Sequence, residues 1–290
     1  MADQPFPVVA GALTLVDLLF LLAPIAIAPL GFRVVPLTGR RALRVLRIAR
    51  ILQPAGALAA ILAFVAPKGV PAGALALGWF AVCAIAGIAG ILELAEARSL
   101  RPEHLLPAAA LGFLAVGGAW LVASRSGTLF GYSAPIVELT AVHFHYAGFA
   151  ATIMSAVAFR AMRDRPRRLR LGSATAGLLV VIATPLTATG IATGTAALTV
   201  IGPVLLAIGI LGTAALTALV IAPALPKPTA RWLLIISAAG IVIPMLLGVD
   251  YAAGRVLPIP ALDLGTMALV HGTLNAVVYS LLGLAGWSLA

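Results

Sequence analysis

Cysteine and charge are both scarce in this 290-residue chain. A single cysteine, Cys83, sits inside an apolar run. It excludes an intramolecular disulfide, leaves redox compartment unreadable, and reads as a small packing residue. Only 10% of residues are charged while 62% are hydrophobic, and mean hydropathy is +1.13. A soluble domain with so few polar side chains has no means of covering its apolar surface, so that class is excluded. The apolar runs are about 20 residues long and rich in Leu, Ala, Ile and Val, the length of spanning helices rather than of the shorter alternating strands of a barrel. The fold class is therefore all-α, a polytopic transmembrane bundle forming one domain over residues 1–290.

Nine spans are expected, near residues 9–30, 51–66, 70–92, 104–123, 135–158, 173–192, 197–222, 232–250 and 262–287. The sixth and seventh are divided only by a Thr/Gly-rich stretch, TATGIATGTAALT, so eight is the competing count. Sixteen of the nineteen Lys and Arg residues fall after spans one, three, five and seven. The outward loops keep only Lys68, Arg125 and Arg255. By the positive-inside rule this asymmetry puts the N-terminus outside and the C-terminus in the cytoplasm. It also accounts for the net charge of +10. RALRVLRIAR and RDRPRRLRLG look like basic nucleic-acid patches, but each adjoins a span, so they mark topology and contact with anionic lipids, not nucleic acid. The first of them has amphipathic spacing suited to lying along the inner surface. MADQPFPVV has no basic leader region, and Asp17 interrupts what would be an apolar one, so a cleaved signal is not expected.

Ionisable groups inside spans are costly and mark function. The fifth span, PIVELTAVHFHYAGFAATIMSAVAF, carries Glu138, His143 and His145. At about 100° per residue, Glu138, His145, Phe149 and Thr152 share one stripe, with His143 and Tyr146 flanking it. At about 1.5 Å per residue, Asp17 in the first span and His271 in the ninth lie roughly 12–14 Å below the outer surface, at the depth of His143 and His145. Asn275 and Tyr279 follow His271 on the same face. Asp250, Tyr251 and Asp263 lie by the water interface, where solvation explains them. Glu93, Glu96, Glu103 and His104 read as inner-loop residues. Trp79, Trp232 and Trp287 read as anchors or packing.

ELTAVHFHYAGF in span five and VHGTLNAVVYSLLGLAGW in span nine resemble the two recognisable segments of the YndJ-like family of bacterial integral membrane proteins, an HFHYAGF-type segment and a terminal HGxxNA…GxxGW segment. That kinship implies a multi-pass protein of the bacterial inner membrane and leaves the activity to the residues. A looser resemblance, to the integral-membrane cyclases of bacterial indole-sesquiterpenoid pathways, implies proton-initiated folding of an isoprenoid chain. A DDxxD-type diphosphate motif is absent, which disfavours diphosphate ionisation.

The chemistry expected is cofactor-free acid/base catalysis on an isoprenoid or similar lipid, a terpenoid cyclisation or isomerisation. A carboxyl group in a low-dielectric site stays protonated and can act as a general acid. Glu138 or Asp17 would donate, and His145, His143 or His271 would orient or accept. Asn275 and Asp250 would hold polar substrate atoms, and Phe144, Tyr146, Phe149, Trp120 and Tyr279 would line the pocket, where aromatic faces stabilise cations by up to about 2 kcal/mol. Two alternatives stand beside this. His143, His145, His271 and Glu138 could hold zinc or iron, although His143 and His145 point about 200° apart on a regular helix. The buried acids and histidines could instead relay protons in a transporter, with Pro24, Pro185, Pro203 and Pro244 breaking helices around a site. Against transport, no inverted repeat is evident and the polar groups cluster in one half.

Overall fold

The computed structural model describes residues 6–11 and 13–290; the opening MADQP, read above for a leader, lies outside them. Among the described residues nine helices are long and apolar enough to cross a membrane. They are α1 (Leu15–Val34), α2 (Arg40–Val65), α3 (Val70–Ala97), α4 (Pro102–Ser126), α5 (Ala134–Ala161), α6 (Arg167–Thr193), α7 (Ala196–Ala224), α8 (Pro228–Gly254) and α9 (Leu264–Leu289). A short antiparallel pair, β1 (Val8–Ala10) and β2 (Leu13–Thr14), precedes them. The count of nine stands because Gly194, in the left-handed region at φ 65°, ends α6 before α7 begins.

Two helix starts differ from expectation. RALRVLRIAR is not a separate surface helix: it opens α2, which runs unbroken for 26 residues. The first span begins at Leu15, not near residue 9, because Thr14 and Asp17 form a reciprocal capping box. The Thr14 amide and hydroxyl both donate to Asp17 Oδ2 at 2.7 Å, and the Asp17 amide donates to Thr14 Oγ1 at 3.2 Å. Such a box satisfies amides that the first turn leaves bare. Asp17 therefore sits in the first turn of α1, not two turns deep.

A contiguous apolar core draws residues from all nine helices, and α5 is the most enclosed of them. Small residues set the helix spacing, since close packing in a bilayer relies on backbone approach rather than on expulsion of water. A Cβ on Gly90 of α3 would stand 2.7 Å from the Ala108 carbonyl oxygen of α4, and one on Gly209 of α7 would stand 2.8 Å from that of Ala176 in α6. Cys83 is buried against Gly118, the packing role expected of it.

Among the described residues five stretches depart from α geometry into π-helical turns: Ala23–Ile27 in α1, Phe144–Ala151 in α5, Thr217–Ile221 in α7, and Ala268–Gly272 and Leu274–Leu281 in α9. Those of α1, α5 and α9 meet one another inside the bundle. In α1 the cause is local. Pro24 has no N–H, and the Ala23 amide turns to the Phe20 carbonyl. Neighbouring helices occupy the carbonyls around the break: Tyr146 Oη of α5 donates to Leu19 O at 2.6 Å and Gln53 Nε2 of α2 to Pro24 O at 2.6 Å. A proline in one span thus fixes side chains on two others.

At the arginine-rich end, Glu93 is fully buried rather than a loop residue. It accepts from the Thr38 amide (2.9 Å), the Thr38 hydroxyl (2.7 Å), the Gly39 amide (2.8 Å) and the ring of His104 (2.8 Å). Glu96 accepts from the amides of Arg41 and Ala42. Gly39, at the N-cap of α2, supplies no side chain of its own, so two carboxylates from the end of α3 complete that terminus and face its positive dipole. Glu93→Ala is expected to destabilise the protein by roughly 1–3 kcal/mol, the cost of stranding buried donors. Denaturation in mixed micelles measures it; an unchanged midpoint would refute the capping role.

Candidate functional site

At the opposite end, four charges from four segments converge. Glu138 of α5 is nearly sealed, and its Oε2 accepts from Lys68 Nζ at 3.1 Å; Lys68, in the α2–α3 turn, is half-exposed. Glu138 Oε1 has no hydrogen-bond partner among the described residues, and Asp17 and Arg125 are the other charges of its neighbourhood. Two carboxyl groups in one low-dielectric neighbourhood call for compensating cations. Lys68 is one such cation. Arg125, at the end of α4 and only 4% exposed, is the other, with Asp17 and Glu138 as its attracting charges. Its Nε donates to Ala63 O at 3.0 Å and its Nη2 to Ala66 O at 3.1 Å, and its guanidinium lies 4.6 Å from the Phe64 ring. It thereby neutralises the C-terminal end of α2 as well as the acids. Read from sequence, Lys68 and Arg125 served only to count topology.

The three intramembrane histidines separate into two environments. His145 has no exposed surface. Trp79 Nε1 of α3 donates to its Nε2 at 3.0 Å, and its Nδ1 lies 2.8 Å from Ala141 O. An indole N–H only donates and a carbonyl only accepts, so this imidazole is neutral, protonated at Nδ1, with both nitrogens engaged. Phe20 packs edge-on with ring centroids 4.8 Å apart, and Gly117 of α4 makes room: a Cβ there would lie 2.6 Å from Nδ1. The expected Glu138–His145 partnership is not made, because Glu138 turns to Lys68 and His145 to Trp79. The four-residue zinc or iron set fails for the same reason. Among the described residues no group of three or more His, Cys, Asp or Glu side chains is arranged to hold a metal.

His143 and His271 do come together, with ring centroids 6.5 Å apart and planes inclined by 35°. His143 Nδ1 is 2.7 Å from Leu139 O in its own helix, and His271 Nδ1 is 2.8 Å from Pro244 O in α8. Carbonyl oxygens accept only, so Nδ1 carries the proton in both rings, and neither Nε2 has a partner among the described residues. Asn275 Nδ2 donates to His271 O at 3.0 Å, and Gly248 lets the His271 ring lie flush against α8. The first half of α5 packs on α1 and α4, while the second half of α8 packs on α7 and α9; the two halves make no substantial contact with each other. His143 is exposed and His271, beside it, half-buried.

The expected aromatic wall is dispersed. Phe144 packs on Phe113 with centroids 5.8 Å apart, and Trp120 lies against Phe130 and Tyr132. Phe149 meets Phe32 at 5.8 Å, and Tyr146 is tied to Leu19. Tyr279 is buried against a separate small cavity. Asp250 is exposed and Tyr251 half-buried at the end of α8. Asp263 caps α9: the Thr266 hydroxyl (2.6 Å) and amide (2.9 Å) donate to its carboxylate and hold it below the usual carboxylate range.

An integral membrane protein with nine spanning helices among the described residues, an ionic cluster at one end and a pair of half-free imidazoles beside it, is the class these features define. The chain belongs to the YndJ-like protein family, whose profile matches residues 18–279. It is 29% identical over 288 residues to "Uncharacterized membrane protein YndJ" of Bacillus subtilis (strain 168), an alignment covering 99% of this chain and 50% of that protein. The chain thus spans about half the length of the curated relative it matches. No solved structure matches it.

Proposed function

We propose that the chain is an intramembrane acid/base enzyme acting on a hydrophobic, isoprenoid-like molecule, with His143 and His271 as its proton-exchanging pair. The observation that carries this is the pairing itself. Two imidazoles from distant spans lie side by side, each pinned through Nδ1 to a backbone carbonyl and each with no Nε2 partner among the described residues. Holding both rings in one tautomer and one orientation is the preorganisation that general acid/base catalysis requires. With one proton on the pair, the charged ring donates it from Nε2 to an alkene carbon or epoxide oxygen, and the neutral ring removes a proton from the resulting cation. The net change is a cyclisation or double-bond isomerisation that consumes no cofactor. Asp17 and Glu138 form the proton store on the same side of the bundle, and substrate enters laterally from the lipid. On this reading the arginine-rich loops face the cytoplasm of a bacterial inner membrane and bind anionic headgroups.

The test is to reconstitute the full chain in nanodiscs with linear polyprenyl alcohols, epoxides and hydrocarbons in deuterated buffer, and to follow mass and retention of the recovered lipids. Deuterium-bearing products that disappear in His143→Ala and His271→Ala support the proposal; recovery of every substrate unlabelled overturns it. Proton-coupled transport is a second reading, favoured by the π-helical turns of α1, α5 and α9 meeting within the bundle, since such turns mark functional and deformable positions. Proton flux into proteoliposomes driven by a solute gradient, without product formation, would select it.

A further inference from the structure

The segment that precedes α1 is left unused by the His143–His271 reading. It runs out through β1 and returns through β2, and the Leu15 amide donates to Pro7 O at 2.9 Å, so it folds back over the first turn of α1. Its turn contains Gly11 at φ 58°, in the left-handed region that glycine enters without strain. Pro7, Val8 and Val9 are exposed. Phe6 is not. It is 6% exposed, in a small apolar cluster with Val16 of α1 and Ala268 of α9, against which Leu139 and Val142 of α5 and Leu264 of α9 pack. One aromatic side chain is thereby seated where three helices converge.

Contacts one turn further along each helix show what lies below that seat. Tyr146 of α5 donates to Leu19 O of α1, and a Cβ on Gly272 of α9 would lie 3.0 Å from Leu19 Cδ1. His143 of α5 and His271 of α9 stand with ring centroids 6.5 Å apart. Each pair of the three helices is thus in contact at the level of Leu19 and the two histidines. Val16 precedes Leu19, Ala268 precedes His271 and Leu139 precedes His143 by three or four residues, the spacing that stacks side chains on one face about a turn apart. The start of each of these helices is the end away from the arginine-rich loops, since α1 and α5 run into those loops and the last turns of α9 pack on the end of α1. Phe6 therefore lies between that end of the bundle and the histidine pair.

We infer that Phe6 is a stopper: it closes the α1–α5–α9 junction to the aqueous phase and leaves the His143–His271 pair to be reached from the hydrocarbon of the bilayer. An aromatic ring suits that task, because it fills the junction and offers water no hydrogen bond. The exposed member of the pair, His143, stands about 13 Å into α5, a depth that belongs to the hydrocarbon of a bilayer roughly 30 Å thick. The pair then receives molecules that dissolve in lipid and excludes hydrated ones. This concerns access alone and stands whether or not the histidine pair is catalytic.

The experiment uses the full chain in nanodiscs, carrying Cys83→Ala and His271→Cys, and two methanethiosulfonates, one bearing a trimethylammonium group and one a benzyl group. Each rate is taken relative to that of the reagent with free cysteine. With Phe6 in place the charged reagent should modify residue 271 at least about tenfold more slowly than the benzyl reagent, because a fixed charge does not cross an apolar seal. Phe6→Ala should raise the charged-reagent rate about tenfold and leave the benzyl rate unchanged. Phe6→Leu, which refills the seat, should restore protection. Ser237→Cys, buried in α8, reports loosening of the whole bundle and should stay unreactive in every variant. Equal relative rates for the two reagents with Phe6 in place, an unchanged charged-reagent rate in Phe6→Ala, or equal gains at residues 271 and 237 would each overturn the stopper. The first of these outcomes is read without any change at Phe6.

Discussion

Arg125→Met is expected to lower stability by about 3–5 kcal/mol, the usual cost of removing one partner from a buried charge network. The side chain does three things at once. It satisfies the last carbonyls of α2 at Ala63 and Ala66, it lies over Phe64, and it balances Asp17 and Glu138. Methionine keeps the volume and loses all the polar terms. Because the loss includes an uncompensated carboxylate, Glu138→Gln introduced into Arg125→Met should recover part of it. A double-mutant cycle on unfolding in mixed micelles reads that coupling. Additive losses would show that Arg125 serves only the end of α2.

His143→Ala and His271→Ala are each expected to slow product formation by about 10²–10⁴-fold, the range set by a positioned acid or base. The fold should respond far less to the first than to the second. His143 is exposed and bonded only within its own helix, whereas His271 ties α9 to the Pro244 carbonyl of α8. His145 supplies the contrast. Its nitrogens are both engaged by Trp79 and Ala141, so His145→Leu should destabilise the α3–α5 contact and leave the rate per folded molecule unchanged. Rates that fall with His145→Leu and survive His143→Ala would reverse the assignment.

The nine helices were legible because run length and the distribution of arginine are properties of the chain alone. The grouping of the polar residues was not. Glu138 and His145 fall on one stripe only if the helix advances by 100° at every residue, and a π-helical turn begins at Phe144 between them. The two residues also stand about 10 Å apart along the axis, and the neighbouring helices decide what each meets, Lys68 for Glu138 and Trp79 for His145. The depth assigned to Asp17 failed for a local reason that was present in the sequence: Thr14-x-x-Asp17 has the spacing of a capping box, and it starts the helix six residues later than hydropathy suggests. Glu93 and Glu96 gave no such signal. They complete a helix terminus more than fifty residues upstream, a relation visible only once α2 and α3 lie side by side. The proximity of His143 to His271 likewise depends on α9 returning to the side of α5. Similar depth suggested it, but depth does not say which faces meet.

The most direct test of the account is therefore the spacing of those two positions. With Cys83 replaced by alanine, the pair His143→Cys/His271→Cys should be bridged within one chain by a short bis-methanethiosulfonate reagent, while Ala141→Cys/His271→Cys, with residue 141 buried, should not. Failure of the first pair to bridge, when each of its cysteines still reacts with the corresponding monofunctional reagent, would contradict the account.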